Sequence, residues 1–477
     1  MYARHLPSRP SFSPNSRFTS EPNAPRFNRR DGETAARQAE FCGTNSLQDR
    51  ASWVQTRMML RLFSFRFLAP AVVFAFLFAA LLAGRVQDQN QSKATPAEPA
   101  DAAEVRQQIA VVEKLEPVVP DRGAVLYFLS TAKQHLGETL DALKLLKECL
   151  ALREGFDPSG SLAFRAIKDS KEFQELVDRV HRDFPAVVQA HVAFVTEEKN
   201  LVAEGLAYNE QQNVFYMSSL NRRKIVKIAQ DGKVSDFVPA DGLHLLPVLG
   251  IRMDPTDASV WANSFTDLGG ETELLHFNPS GELLGRYAPK DKARHGFNDL
   301  VVRKGGGVIL TDSLQNQVYR FDRTSQAFIP LPVNRQMFYP NGIALADDDR
   351  QLFIADYLGV IRVDLLAKTA ADVIPGSRST LAGIDGLYWY KGALVAVQNG
   401  IVSDRIVSFR LSKDGLHVTQ TTVLETRSPL TTSLTTGAIR GSDFYFIANS
   451  QIDNMNDDKV LDVTKLERVR IGVLHLP

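Results

Sequence analysis

Beyond about residue 188 the chain runs in short apolar stretches that alternate with polar positions and are broken by Gly, Asp, Asn and Ser. That period of two predicts strands with one face buried, and the punctuation predicts tight turns between them. Upstream the period changes. Val125, Leu126, Leu129, Ala132 and Leu136, then Leu140, Leu143, Leu146, Cys149 and Leu150, recur at three- and four-residue steps. This predicts two helices parted at Gly137, and a third is expected over Ser170 to Asp183, ahead of Pro185. From Phe67 to Gly84 the chain reads FLAPAVVFAFLFAALLAG, eighteen residues without a charge. That run matches the short end of a membrane span or the core of a secretory signal. Residues 1 to 57 are rich in Pro, Ser, Asn and Arg with no apolar period, and read as disordered.

These patterns divide the chain into five parts. They are a disordered cytoplasmic tail (1–66), a transmembrane or signal-anchor helix (67–84), a polar linker (85–102), a helical spacer (103–187) and an all-β region (188–477). The 66 residues before the apolar run carry eleven Arg against five acidic residues. The positive-inside bias then keeps the N-terminus cytoplasmic and sends the rest across. The expected location is a single-pass membrane protein with its β region periplasmic or extracellular. Leu81-Leu82-Ala83-Gly84 is a poor cleavage site, which favours an uncleaved anchor. Met58 and Met59, followed by Arg61 and Arg66, offer an alternative start with a signal-like leader, so the first 57 residues are a candidate mis-called extension. Cys42 would lie inside and Cys149 outside, so the two cannot pair within one molecule. The helical spacer has a weak likeness to a single tetratricopeptide repeat. One such repeat cannot bury its own apolar face, so it is expected to pack on the β region, with a protein partner as a further use.

The β region repeats. Six segments open on a dipeptide whose second member is usually Gly: Glu204-Gly205, Leu249-Gly250, Asn298-Asp299, Asn341-Gly342, Asp385-Gly386 and Thr436-Gly437. The steps between them are 45, 49, 43, 44 and 51 residues. A second and a third strand-like run follow each opening, the third ending in turns such as Asp231-Gly232 or Asp414-Gly415, and a fourth is expected before the next unit. Four strands in about 45 residues make a propeller blade. The expected fold class is mainly β: a six-bladed β-propeller over 188–477, preceded by a transmembrane or signal-anchor helix and a small helical segment. The run around Val192 to Glu197 is expected to join the last blade and close the ring.

In such a ring the openings of the innermost strands surround one end of the central channel. The first positions are Glu204, Leu249, Asn298, Asn341, Asp385 and Thr436, and the two carboxylates and two amides among them share one register. Like charges brought together out of water are costly unless countered. A divalent cation counters them, and hard oxygen donors without His or Cys suit Ca2+, or another cation such as Mg2+, rather than zinc. The candidate metal ligands are therefore Glu204, Asn298, Asn341 and Asp385. Asn-Gly and Asp-Gly are also common turn dipeptides, and the competing reading is four turns; the shared phase favours the cation. A second ring falls one hairpin on, at Ser218, Asn263, Asp312, Asp356, Asn399 and Asn449. Asp312 and Asp356 are its candidate supports behind the ligands, against a reading as polar strand ends.

Charge and cysteine content narrow the classes. Lys+Arg and Asp+Glu both count 55, so there is no basic field to hold nucleic acid. Two cysteines rule out a disulfide scaffold and a multi-thiolate zinc site. Gly305-Gly306-Gly307 opens no expected helix and cradles no phosphate, and no Gly-x-Ser-x-Gly elbow is present.

The ordered set AEGLAY, GFNDLVV, YPNGIAL and GIDGLYW, one per blade, resembles the senescence-marker-protein/gluconolactonase/luciferin-regenerating-enzyme family of six-bladed calcium propellers. Paraoxonases and diisopropyl-fluorophosphatase are relatives of that family. The resemblance covers roughly Ala203 to Ser450. It implies calcium lined by Glu204, Asn298, Asn341 and Asp385, and hydrolysis of lactones or of phosphoryl and aryl esters. Two departures stand out. The blade-two position, where paraoxonases place a catalytic His, is Leu249, and the blade-one motif lacks the Pro and Trp of typical gluconolactonases. His244 and His295 precede the blade-two and blade-three openings and are weighed as loop residues reaching the mouth.

The expected function is an exported, membrane-anchored, calcium-dependent hydrolase of a lactone or ester. The metal acts as Lewis acid, and Asp385 is the candidate base or nucleophile. The alternative is a non-catalytic propeller, a ligand-binding or interaction module with a structural calcium. The expected partners are a small lactone or ester and the membrane, through the N-terminal helix, with no nucleic acid.

Overall fold

The computed structural model describes Pro99 and residues 101–477, apart from 241, 267–269, 402 and 457. The tail, the anchor helix and most of the linker lie outside the described residues. Among the described residues no helix is long and apolar enough to cross a membrane.

Six four-stranded antiparallel sheets follow one another along the chain. The innermost strands of the first three blades are Ala203–Asn209, Val248–Met253 and Phe297–Val302, and those of the last three are Ile343–Leu345, Ile384–Tyr390 and Gly437–Arg440. Five blades take all four strands in sequence order. The sixth orders its strands Gly437–Arg440, Asp443–Ile447, Arg470–His475 and then His191–Val195. The first strand of the β region thus pairs antiparallel with the last, closing the ring where the sequence pattern placed the closure. Apolar residues from adjoining sheets fill the spaces between blades; Ile384, Leu387, Leu394 and Val407 of blade five pack with Phe353 and Ala355 of blade four.

The opening dipeptides are not turns. In blades one, two, three and five each sits in a β-bulge, where the inner strand advances three residues against two on its partner: Ala203 to Leu206, Val248 to Ile251, Phe297 to Leu300 and Ile384 to Leu387. A bulge leaves its extra residue outside the ladder and re-aims the side chain. The glycine answers a different need, the close approach of the next inner strand. A Cβ on Gly205 would stand 2.3 Å from the Leu249 carbonyl oxygen, and one on Gly342 2.4 Å from that of Asp385. Blade three has Asp299 at this position, and its carboxylate fills space that Gly250 leaves open.

The spacer is larger than a hairpin plus one helix. It has four helices, α1 (Ala102–Leu115), α2 (Arg122–His135), α3 (Thr139–Ala151) and α4 (Lys171–Asp183), with two 3-10 turns before α4. The extra helix α1 buries Val105, Ile109, Val112 and Leu115, spaced at three and four. Its apolar core continues into the propeller through Phe338, Leu358, Ala382 and Ile401. Asp121 caps α2 through the Ala124 amide at 3.0 Å. Its other oxygen takes the Thr380 hydroxyl at 2.7 Å and the Leu381 amide at 2.8 Å. The cap therefore also ties the spacer to blade five.

Candidate active site at the mouth of the channel

Glu204, Leu249, Asn298, Asn341 and Asp385 line one open cavity of about 1300 Å³. Thr436 completes the ring behind them, its hydroxyl donating to the Glu204 carbonyl. Among the four oxygen-bearing residues the hydrogen bonds leave acceptors open. Asn341 Nδ2 donates to Asp385 Oδ1 at 2.9 Å, and Asn399 Nδ2 donates to Asp385 Oδ2 at 2.6 Å. Asn298 Nδ2 donates to the Ser313 hydroxyl at 3.1 Å. Glu204 Oε2 is buried with no hydrogen-bond partner.

The channel beneath is electrostatically loaded. Burial pushes the Glu204 carboxyl well up, and the charges of Asp385 and Asp299 push it further. Burial pushes Asp385 up to about 7 against the two amide bonds, with Asp299 and Asp404 adding to the rise. Asp299 is raised by burial and eased by Arg252, whose Nη2 stands 2.7 Å from Asp299 Oδ2 and whose guanidinium lies over the Tyr388 ring. Arg252 thus offsets Asp299 and Glu204, and Asp385 adds a further carboxylate to the same set. No cluster of three or more His, Cys, Asp or Glu with metal-binding geometry occurs among the described residues. The set at this mouth is instead two carboxylates with two amide oxygens. An unpartnered buried carboxylate oxygen beside amide oxygens and surplus negative charge fits a hard divalent cation.

Asp312 and Asp356 stand behind the mouth. Neither lines the cavity. Asp312 accepts His295 Nδ1 at 2.6 Å and the Gly296 amide at 3.0 Å. Asp356 pairs with Arg335 at 2.6 Å and accepts the Phe338 amide at 3.0 Å. They fix the loops that lead into Asn298 and Asn341 and hydrogen-bond to neither. Asn399, in the same second ring, is the member that holds Asp385. His295 is tied between Asp312 and Asp291, His244 is exposed on a loop, and neither lines the cavity.

Arg252 has no part in the sequence reading, and Tyr388 figures there only as an aromatic expected to pack between blades, yet a signal existed. Three residues after each ring position the other blades carry Ala207, Val301, Ala344 and Ile439, so a charge and a phenol stand out in an aliphatic register. The rim gave no such signal. It is built from the 3-10 turns of the spacer (Gly160, Leu162, Arg165), the blade-five loop bearing Asp404, and the insert between Ile447 and Arg470, which supplies Ile452, Asp453, Met455 and Leu461. The insert packs Met455 and Leu466 on Leu220 and Leu249, with Phe265 and Ile452 beside them.

No protein-family model matches the chain, and no curated protein sequence matches it. Solved structures similar in shape include a gluconolactonase from Xanthomonas campestris, at 15% identity over 60% of this chain and 89% of that one, TM-score 0.43. Virginiamycin B lyase from Staphylococcus aureus is 15% identical over 61% and 99%, TM-score 0.42. A luciferin-regenerating enzyme is 14% identical over 58% and 92%, TM-score 0.41. The six-bladed ring itself rests on the strand order of this chain.

Proposed function

We propose that the chain is a divalent-cation-dependent hydrolase of a lactone or carboxylic ester, with calcium the cation its donor set fits best. The observation that carries this reading is the unpartnered Glu204 Oε2 in a cavity shared with Asn298, Asn341 and Asp385. These four residues would hold the cation, which when bound offsets their charge and polarises an acyl carbonyl. Asn341 and Asn399 fix the plane of the Asp385 carboxylate. With both oxygens accepting amide N–H groups, Asp385 suits holding a cation better than taking a proton. Leu220, Leu249, Phe265 and Met455 give the mouth an apolar wall that receives the hydrocarbon part of a substrate and sheds water. The uncharged run at 67–84 and the Arg excess before it support export and membrane anchorage as part of the same proposal.

One observation favours the alternative, a binding propeller with a structural cation: neither His295 nor His244 lines the cavity. The deciding experiment takes the full chain in detergent, depleted of metal by chelator and then given calcium. Hydrolysis of aryl esters or lactones that vanishes with chelator and returns with calcium supports the enzyme. A calcium-dependent rise in Tm without turnover supports the binding module.

A further inference from the structure

With Asp385 assigned to the cation, the hydrolase reading still needs a proton acceptor. The rim supplies a candidate. Asp404 lies in the loop between the second and third strands of blade five and lines the same cavity as the four floor residues. Its Oδ2 accepts the Leu434 amide at 2.8 Å, and among the described residues no protein hydrogen bond is made to its Oδ1. The same residue, Leu434, returns to the floor. Its carbonyl accepts Asn399 Nδ2 at 2.8 Å, and that nitrogen also donates to Asp385 Oδ2 at 2.6 Å. Leu434 and the Asn399 amide therefore link Asp404 to Asp385.

The loop is held from outside the propeller. Ser403 donates its hydroxyl to Asp157 Oδ2 of the spacer at 2.6 Å, and Arg427 reaches the same oxygen at 3.0 Å. The neighbouring Arg405 turns away from the cavity, onto Gln398 and the Gly155 carbonyl.

We infer that Asp404 is the general base of the hydrolysis, a role that rests on the hydrolase reading above. Water beside Asp404 loses a proton to Oδ1 as its oxygen bonds to the acyl carbon. The carbonyl electron pair moves to oxygen and returns as the bond to the departing alkoxide breaks. Asp404 then gives its proton to that alkoxide. Water is consumed, and a carboxylic acid and an alcohol leave, joined as one hydroxy acid when the substrate is a lactone. The groups that face Asp404 suit the task. Burial, with Asp453 of the insert adding its charge and the Leu434 amide opposing, pushes its carboxyl up to about 7. A base of that strength is matched to neutral pH. Asp385, across Asn399, is the other carboxylate nearby.

Phenyl acetate and δ-valerolactone, with calcium present and the full chain in detergent, provide the test. Asp404→Asn keeps an acceptor for the Leu434 amide. It should lower kcat by about 10²- to 10⁴-fold, the usual share of a general base, with KM and the calcium-induced rise in Tm unchanged. The acidic limb of the pH–rate profile should go with it, and formate should restore part of the rate to Asp404→Ala. If Asp404→Asn does not fold, Asp404→Glu should fold and displace that limb; an unmoved limb overturns the assignment. Wild-type turnover with Asp404→Asn within a few-fold of it also overturns the role of Asp404 and leaves the hydrolase standing. No turnover by the unaltered chain on either probe overturns both.

Discussion

Glu204 and Asp404 are carboxylates of one cavity that arrive there by different routes. Glu204 sits in a β-bulge at a register that blades two, three and five repeat, so the propeller alone places it. Asp404 sits at the end of the loop between the second and third strands of blade five, anchored by Ser403 to Asp157 of the helical spacer. The ring brings charge together on its axis, and the aperiodic pieces decide what stands over that charge. A floor of this kind belongs to the architecture and a rim to the individual chain. Loss of a floor residue should therefore touch cation binding, while loss of a rim residue should touch only turnover or substrate choice.

The largest expected effect separates the two at the floor. Glu204→Gln and Asp385→Asn keep shape and each remove one negative charge. With free calcium at 100 times Kd, binding stabilises the fold by about 2.7 kcal/mol. Either variant should lose most of that rise in Tm, and hydrolysis with it. Leu249→Ala is the control within the same ring. It costs about 2–5 kcal/mol as a buried Leu truncation, yet should leave the calcium response in place. A calcium shift that survives both carboxylate variants would break the distinction, since the floor would then be a set of bulges without a ligand.

That asymmetry also explains what the sequence could show. The blade count, the closing strand and the clustering of Glu204, Asn298, Asn341 and Asp385 were legible because repetition multiplies a weak signal: one Asn-Gly means little, and four oxygen side chains in phase mean much. The cause of the glycines was not legible. They read as turn residues, and the structure explains them by the passage of the neighbouring strand, as at Gly205 and Gly342. Asp312 and Asp356 were in phase too, but each turns to a loop partner, His295 or Arg335, instead of a ring residue. Phase fixes where a backbone stands, and the local partner fixes what the side chain does. Asp404, Asp453 and the insert obey no phase, so nothing marked them.

A middle-sized effect is expected at the hinge between the regions. Asp157 is buried and accepts from Ser403, Arg427 and His181, the last at 3.1 Å. Asp157→Asn leaves the Arg427 guanidinium with a weaker acceptor, at a cost of about 1–3 kcal/mol. Through Ser403 it should also loosen the loop of Asp404. Thermal unfolding should show the lost stability and kinetics a several-fold fall in kcat, with the calcium-induced rise in Tm intact. A lost calcium response would mean that the spacer supports the floor as well as the rim.

The smallest expected effect is a pH dependence at a residue that belongs to neither region. Burial opposes protonation of His295, but the hydrogen bonds and charges of Asp312 and Asp291 outweigh it, so its folded-state value is raised. Protonation therefore stabilises the folded chain. The contribution is full below the ordinary imidazole value of about 6.5 and fades as pH rises through the higher folded value. Asp291 is largely exposed, so its share is screened and the buried Asp312 carries most of the effect. His295→Gln should flatten the decline in Tm from about pH 6 upward and leave the calcium shift at each pH as it was. Parallel Tm curves for the two proteins would show that the imidazole is held neutral by its pocket. A changed calcium shift would show that the loop into Asn298 transmits to the floor, and the separation of floor from support would then fail at its weakest point.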